Sequence, residues 1–188
     1  MKKPATVGIV GFGYWGPNLV RNFRSLSDCR LKTVCDLNEK RLKQMRTLYP
    51  EVTGETEFAR LVEDTEIDAV VIATSARTHY AMAKACLEAG KHVLIEKPMA
   101  CSTSECEDLI ALAKQAGLII MVGHTFLYSA AVRKIKEIVD NRDIGDLRYI
   151  AARRLNLGLF QKDINVAWTS RHTTFRSYCI SCRRCRIV

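Results

Sequence analysis

Residues 5–16 read ATVGIVGFGYWG, an apolar run followed by a turn that contains three glycines. Gly11, Gly13 and Gly16 have the spacing G-x-G-x-x-G, and the residues after them have the period of an amphipathic helix. In such a strand–turn–helix unit the first glycine permits the tight turn, the second lets a ligand approach the backbone, and the third lets helix and strand pack together. The pattern therefore predicts a unit whose helix N-terminus binds the pyrophosphate of a dinucleotide.

Asp36 supports this interpretation, because it lies 20 residues after Gly16 at the end of the second predicted strand. A carboxylate at that position can bond the ribose hydroxyls of NAD and repels the additional phosphate of NADP. Lys40 and Arg41 follow on the next predicted helix, where they either offset this repulsion or act as solvated surface charges. We predict that NAD is preferred over NADP. The alternative is a tight turn that holds no ligand.

Residues 1–123 alternate between short apolar strands and amphipathic helices. Strands without a polar face suit a parallel sheet that is covered on both sides, so we predict an α/β Rossmann fold with a doubly wound parallel sheet. The predicted strands are residues 5–10, 31–35, 69–73, 92–95 and 118–122. The predicted helices are residues 15–26, 38–48, 57–63, 78–89 and 102–115.

The pattern changes after residue 123, and residues 124–168 are predicted to form the incomplete start of a second, α+β domain. Residues 129–140 have helical spacing, and residues 147–155 alternate like a strand with one solvated face. A strand without a partner would leave an exposed edge, so we expect residues 124–188 to be poorly soluble or to oligomerise.

Residues 169–188 differ in composition from the rest of the chain, with five arginines, three cysteines and no acidic residue. They contribute +5 to the net charge of +9, which leaves +4 for the first 168 residues and disfavours an extended nucleic-acid-binding surface. Cys179, Cys182 and Cys185 have the two-residue gaps of an iron–sulfur or metal site, but no fourth ligand is evident. We expect an aberrant, disordered tail without a metal. A basic RNA-binding tail is the other alternative.

The sequence has no apolar run long enough to span a membrane, and its N-terminal apolar run is too short for a signal peptide. The five remaining cysteines have neither zinc-ligand spacing nor the spacing of a disulfide framework. We therefore expect a cytoplasmic protein with reduced thiols that binds neither nucleic acid nor membranes.

Several short motifs occur in the order found in the Gfo/Idh/MocA family of oxidoreductases, which the chain resembles over residues 5–168. The matching segments are residues 11–16, 34–36, 73–75, 78–80 and 96–98. Residues 154–161 resemble a branch that is often associated with nucleotide-sugar and surface-polysaccharide metabolism. The resemblance implies hydride transfer between NAD and a hydroxyl of a sugar or nucleotide sugar, in an enzyme that forms a homo-oligomer.

The resemblance also implies the site residues. Lys97 would be catalytic, donating to the reacting oxygen beside the nicotinamide, although a lone lysine is by default a solvated surface residue. Ser75 and Thr78 have helix capping as their alternative role, and His124 and Tyr128 have a structural one. The implied cofactor-binding residues are Gly11, Phe12, Gly13, Tyr14, Trp15, Gly16, Asp36, Thr74, Ser75, His79, Glu96, Lys97 and His124.

The resemblance ends after Trp168, where family members continue with Asp-Leu-Ala-Pro-His-Asp, the segment that supplies the proposed acid/base histidine. Residues 169–174 instead read Thr-Ser-Arg-His-Thr-Thr. One choice of codons, with one added base, would encode Asp-Leu-Ala-Ala-His-Asp here, which we interpret as a frameshift that truncates the family pattern. Two hypotheses follow: a NAD-dependent sugar dehydrogenase, or an inactive fragment that binds NAD without turnover.

Overall fold

The computed structural model describes residues 3–146, 148 and 149. One compact unit ends at Gly123, and a second begins at His124. Most of the strand predicted at residues 147–155 and the whole tail predicted at residues 169–188 lie outside the described residues. Within the described part of the chain, no helix has the length and hydropathy needed to cross a membrane.

Six parallel strands form one sheet in the first unit, in the order β3-β2-β1-β4-β5-β6. The strands are β1 (Ala5–Val10), β2 (Cys29–Cys35), β3 (Thr53–Glu55), β4 (Ala69–Ile72), β5 (His92–Ile95) and β6 (Ile120–Val122). β1 pairs with β2 on one side and with β4 on the other, so the direction of strand addition reverses at β1. This order confirms the predicted doubly wound Rossmann sheet, whose ligands bind at the carboxyl ends of the strands at such a reversal.

Helices connect the strands, and two of the described helices begin with a side-chain cap. The helices of this unit are α1 (Gly16–Arg24), α2 (Glu39–Leu48), α3 (Phe58–Glu63), α4 (Ala76–Glu88) and α5 (Thr103–Ala116). α2 starts after Asn38, whose Oδ1 accepts a hydrogen bond from the Lys40 N–H at 3.0 Å. α5 starts after Ser102, which forms a capping box with Glu105, and ends at Gly117 with φ +67°.

Apolar side chains cover both faces of the sheet. Consecutive residues of β4 alternate between two buried clusters, with Val70 and Ile72 in one and Val71 in the other. On β1, Val10 belongs to the first cluster and Ile9 to the second. The strands can therefore be apolar throughout, as the sequence predicted for a parallel sheet.

The structure differs from the sequence prediction at several places. The strand β3 was not predicted, because three residues around a glycine show no alternation. Gly54 of β3 packs under a side chain of α2: a Cβ there would lie 2.7 Å from Arg46 Nε. β2 begins at Cys29, two residues earlier than predicted, because Cys29 already pairs with Ala5. α4 begins at Ala76, since the chain turns into the helix directly after Ser75.

The second unit begins with a 3₁₀ turn (Thr125–Tyr128), followed by α6 (Ala130–Asp140). This confirms the helix predicted at residues 129–140. Among the described residues, no residue of α6 is buried.

Candidate cofactor-binding site

Two glycines of the turn after β1 are required by the turn itself. Gly11 has φ +98°, and a Cβ there would lie 2.6 Å from the carbonyl oxygen of Ala73. A Cβ on Gly16 would lie 2.5 Å from the carbonyl oxygen of Gly11. The backbone of the turn thus packs against the end of β4 and against itself, and only glycine fits at these two positions.

Gly13 differs from both, because nothing in its surroundings excludes a side chain. A Cβ there would meet only Arg41 Nη1 among the described atoms, at the ordinary contact distance of 3.9 Å. The backbone of Gly13 therefore faces open space. A ligand that approaches this backbone closely would account for glycine here, and the pyrophosphate of a dinucleotide is such a ligand.

The N-terminus of α1 also suits an anion. Trp15, at the N-cap, makes no side-chain cap hydrogen bond in the described structure, and the first turn of α1 contains no acidic residue. The partial positive charge of the helix end therefore has no carboxylate partner on its own first turn. Tyr14 and Trp15 are both exposed, and their rings meet edge to face with centroids 5.7 Å apart.

Asp36 holds the turn in place from the end of β2. Its Oδ2 accepts a hydrogen bond from the Phe12 N–H at 2.7 Å, and its Oδ1 accepts one from the Asn38 N–H at 2.8 Å. Nη1 of Arg41 lies 3.4 Å from Oδ2, and the Asp36 side chain is only 7% exposed. Oδ1 has one described donor, so it retains a lone pair for a ribose hydroxyl. The residue is thus both a structural anchor and a candidate ligand-binding group.

The loops after β4 and β5 lie side by side, because these strands pair in parallel with Ile72 opposite Ile95. In the first loop, Thr74 Oγ1 lies 2.7 Å from Thr78 Oγ1. Ser75 occupies the N-cap position of α4 but makes no side-chain cap hydrogen bond in the described structure. The capping alternative for Ser75 is therefore not seen, and its hydroxyl can serve a ligand.

The second loop contains the Glu-Lys-Pro motif, and its peptide bond between Lys97 and Pro98 is cis. Lys97 is half-buried, and its ammonium forms no ion pair among the described residues. Glu96 accepts a hydrogen bond from the backbone N–H of Lys97 at 3.3 Å. Burial raises the pKa of the Glu96 carboxyl, and Lys97 offsets part of this rise. A Cβ on Gly123 would lie 3.2 Å from the Glu96 carboxylate, so the glycine leaves room for it.

His79, in the first turn of α4, connects these two loops. The ring is 1% exposed, with Nδ1 2.8 Å from the carbonyl oxygen of Pro98 and Nε2 3.2 Å from that of Thr74. Burial lowers the pKa of His79, against a smaller opposing effect of the two carbonyl groups. Both ring nitrogens thus face the protein backbone. The direct cofactor contact implied for His79 stays a prediction.

His124 and Tyr128 belong to the second unit. The carbonyl of His124 accepts a hydrogen bond from the Leu127 N–H at 3.0 Å, at the start of the 3₁₀ turn. Tyr128, at the end of this turn, is exposed. The cofactor contact implied for His124 also stays a prediction. Within the described residues, no three His, Cys, Asp or Glu side chains are grouped as metal ligands.

Three contacts of the site were not predicted from the sequence. Arg41 Nη1 lies 3.9 Å from where a Cβ on Gly13 would be, although an arginine five residues after Asp36 falls on the first turn of α2, close to the carboxylate. Asp36 accepts the Phe12 N–H. The Pro98 carbonyl is a partner of His79. No local sequence signal predicts that contact.

Comparison with known proteins identifies the family. Residues 5–124 match the model of an oxidoreductase family with a NAD-binding Rossmann fold. The chain belongs to the Gfo/Idh/MocA family. The Gfo/Idh/MocA match extends over the six-stranded unit and includes both the glycine turn and the Glu-Lys-Pro loop.

Relatives within the Gfo/Idh/MocA family act on polyols and sugar nucleotides. The chain is 30% identical to myo-inositol 2-dehydrogenase of Thermotoga maritima, over 74% of this chain and 42% of that protein. It is 31% identical to UDP-N-acetylglucosamine 3-dehydrogenase of Acidithiobacillus ferrooxidans, over 79% of this chain and 44% of that protein. The crystal structure of Lactobacillus casei scyllo-inositol dehydrogenase with NAD(H) and scyllo-inositol matches with a TM-score of 0.71 at 26% identity, over 77% of this chain and 43% of that one. The chain spans less than half the length of these relatives.

Proposed function

We propose that this chain binds NAD(H) at the turn after β1 and provides the cofactor half of an oxidoreductase that acts on a hydroxyl of a polyol, sugar or nucleotide sugar. The main support for this proposal comes from the surroundings of Gly13 and Asp36. The fold leaves the Gly13 backbone open where a pyrophosphate would lie, and it places a carboxylate with a remaining lone pair next to the same turn. The names of the relatives support the substrate class.

The residues divide between the two halves of the cofactor. The turn and the N-terminus of α1 would bind the pyrophosphate, and Asp36 would bind the adenosine ribose. The carboxylate favours NAD over NADP, although Arg41 at 3.4 Å reduces its repulsion of a 2′-phosphate. Thr74, Ser75 and Lys97 follow β4 and β5, in the half of the fold that would bind the nicotinamide mononucleotide.

When bound, NAD supplies the hydride acceptor, and Lys97 would act on the substrate oxygen. An ammonium without an ion-pair partner among the described residues can donate a hydrogen bond to that oxygen. It would also stabilise the negative charge on that oxygen once the hydroxyl proton has passed to a base and before the hydride leaves the carbon. Glu96, next to it, holds the backbone at Lys97, because its carboxylate accepts the Lys97 backbone N–H at 3.3 Å.

The second candidate function is NAD binding without turnover. One observation favours it: residues 169–174 read Thr-Ser-Arg-His-Thr-Thr, where the family pattern has the segment with the acid/base histidine. The two candidates share the cofactor site and differ only in turnover. Assaying NAD reduction with inositols and UDP-sugars, on the same sample used for binding, distinguishes them.

A fluorescence titration with NADH, comparing the wild-type chain with Gly13→Ala, tests the proposal. Position 13 accepts a methyl group without a clash, so the variant should keep the unfolding temperature of the wild type while the dissociation constant of NADH rises at least about tenfold. Gly16→Ala is the control, because its Cβ would lie 2.5 Å from a carbonyl oxygen and should lower stability directly. Equal NADH affinity in wild type and Gly13→Ala would refute binding at this turn.

A further inference from the structure

The imidazole of His79, on α4, forms a bridge from this helix to the loop after β5 and also lies close to the loop after β4. Nδ1 lies 2.8 Å from the Pro98 carbonyl oxygen, and Nε2 lies 3.2 Å from the Thr74 carbonyl oxygen. A carbonyl oxygen only accepts, and a neutral imidazole has a single N–H. The shorter contact assigns this N–H to Nδ1, which therefore donates to Pro98.

The bridge lies where the regular pairing of the sheet ends. The Glu96 N–H donates to the Ile72 carbonyl at 2.9 Å, at the carboxyl ends of β4 and β5. Beyond this bond the two loops leave the sheet. The His79 ring donates Nδ1–H to Pro98, the residue directly after Lys97. Because α4 carries the ring and continues directly from the loop after β4, this one bond ties the two loops together.

Space filling alone does not explain a histidine here. The other fully buried positions of α4 are occupied by Ala83, Cys86 and Leu87, which pack in the apolar core. An apolar residue at position 79 would fill the same volume but would leave the Pro98 carbonyl without this donor. Because Nδ1–H donates to the backbone of the loop after β5, the histidine acts on this loop in addition to filling space beside α4.

We infer that His79 is a positioning residue whose Nδ1–H bond to Pro98 sets the place of Lys97 relative to the loop after β4. The inference rests on the proposed NAD site. In a doubly wound fold each half of the sheet binds one mononucleotide, so β4 and β5 serve the nicotinamide half while Asp36 and the glycine turn serve the adenosine half. Loss of the bridge should therefore weaken recognition of the nicotinamide half alone.

Two ligands and three variants of the full chain test the inference. NADH occupies both halves of the site, whereas ADP-ribose lacks the nicotinamide. His79→Leu removes the donor at similar volume, and His79→Asn keeps one, because the carboxamide nitrogen of asparagine lies close to the place of Nδ1. Leu87→Ala is the matched control, since it creates a cavity in the same helix away from both loops.

We expect His79→Leu to raise the dissociation constant of NADH about tenfold, the effect of one hydrogen bond, and that of ADP-ribose less than about twofold. His79→Asn should restore most of the NADH affinity. Leu87→Ala should lower the unfolding temperature and leave the ratio of the two dissociation constants unchanged. An unchanged ratio of the two dissociation constants in His79→Leu would overturn the inference. The same change of this ratio in Leu87→Ala would also overturn it.

Amide hydrogen exchange separates this inference from the proposed function. If the wild-type chain bound neither ligand, the proposed function would fail, and the bridge would be judged by exchange alone. His79→Leu should then accelerate exchange at residues 74–75, 97 and 99–101 about tenfold more than Leu87→Ala does. Equal exchange of these loops in the two variants would overturn the bridge itself.

Discussion

Replacing Asp36 with asparagine tests the two roles of this carboxylate together. Its two oxygens each accept a backbone N–H, from Phe12 at 2.7 Å and from Asn38 at 2.8 Å. Asparagine has one acceptor oxygen, so one bond is lost and an amide NH₂ faces the other N–H. A hydrogen bond to a charged group contributes about 1.5–3 kcal/mol, which corresponds to an unfolding temperature lower by about 5–10 °C.

The same substitution should change cofactor selectivity. NADH loses the charged acceptor for its ribose, and NADPH no longer meets a carboxylate beside its 2′-phosphate. We expect the ratio of the dissociation constants of NADPH and NADH to fall at least about tenfold. Parallel fluorescence titrations of both cofactors measure this ratio, in which a general loss of folded protein cancels.

Asp68 provides the matched control. Its Oδ2 accepts the Thr6 N–H at 2.7 Å at the amino end of the strands, far along β1 from the glycine turn. Asp68→Ala should therefore reduce stability and leave the cofactor ratio unchanged. If Asp36→Asn lost stability without changing the ratio, the residue would be only an anchor of the turn. Undiminished stability would contradict the two hydrogen bonds.

Three further predictions follow from the site. Arg41→Ala should weaken NADPH more than NADH in the same titrations, because it removes the cation 3.4 Å from Asp36; an equal effect on both would argue against this role. Lys97→Met should abolish any NAD reduction measured at 340 nm under saturating cofactor, so persistent turnover would exclude it as the catalytic group. Burial raises the pKa of the Glu96 carboxyl in the folded state. The folded protein therefore binds the carboxyl proton more tightly than the unfolded chain does. The stability that this proton contributes is lost as the pH rises through the folded pKa. Glu96→Gln should therefore be more stable than wild type at pH 7 but not below about pH 4, the range of an ordinary glutamate, in urea unfolding; a pH-independent difference would contradict this.

The fold could be predicted because its signals are local. The spacing of Gly11, Gly13 and Gly16 reflects the geometry of one turn, and the apolar run at β4 reflects burial on two faces of a sheet. Each signal lies within a few residues of the feature that it describes. The same holds for the helix ends at Asn38 and Gly117, where one cap residue decides the boundary.

The detailed roles of the site residues could not be predicted in this way. Asp36 was predicted to bind ribose, but its bond to Phe12 joins residues 24 positions apart. The bond between His79 and Pro98 joins residues 19 positions apart and depends on how α4 lies against β5. The sequence motifs predict that Asp36 and His79 are functional. Only the folded structure shows that they bond the backbone at Phe12 and Pro98.

The order of the strands also determines when the sheet can form during synthesis. β1 pairs with β2 soon after both leave the ribosome, but its other neighbour begins at Ala69, which pairs with Val7. At about 5–20 residues per second, one edge of β1 stays without its partner for about 3–12 s. Every later strand joins the free edge of the strand synthesised before it, with β5 on β4 and β6 on β5. Until β4 emerges, β1 therefore presents a free edge of an apolar strand, which is the kind of edge that pairs with other chains.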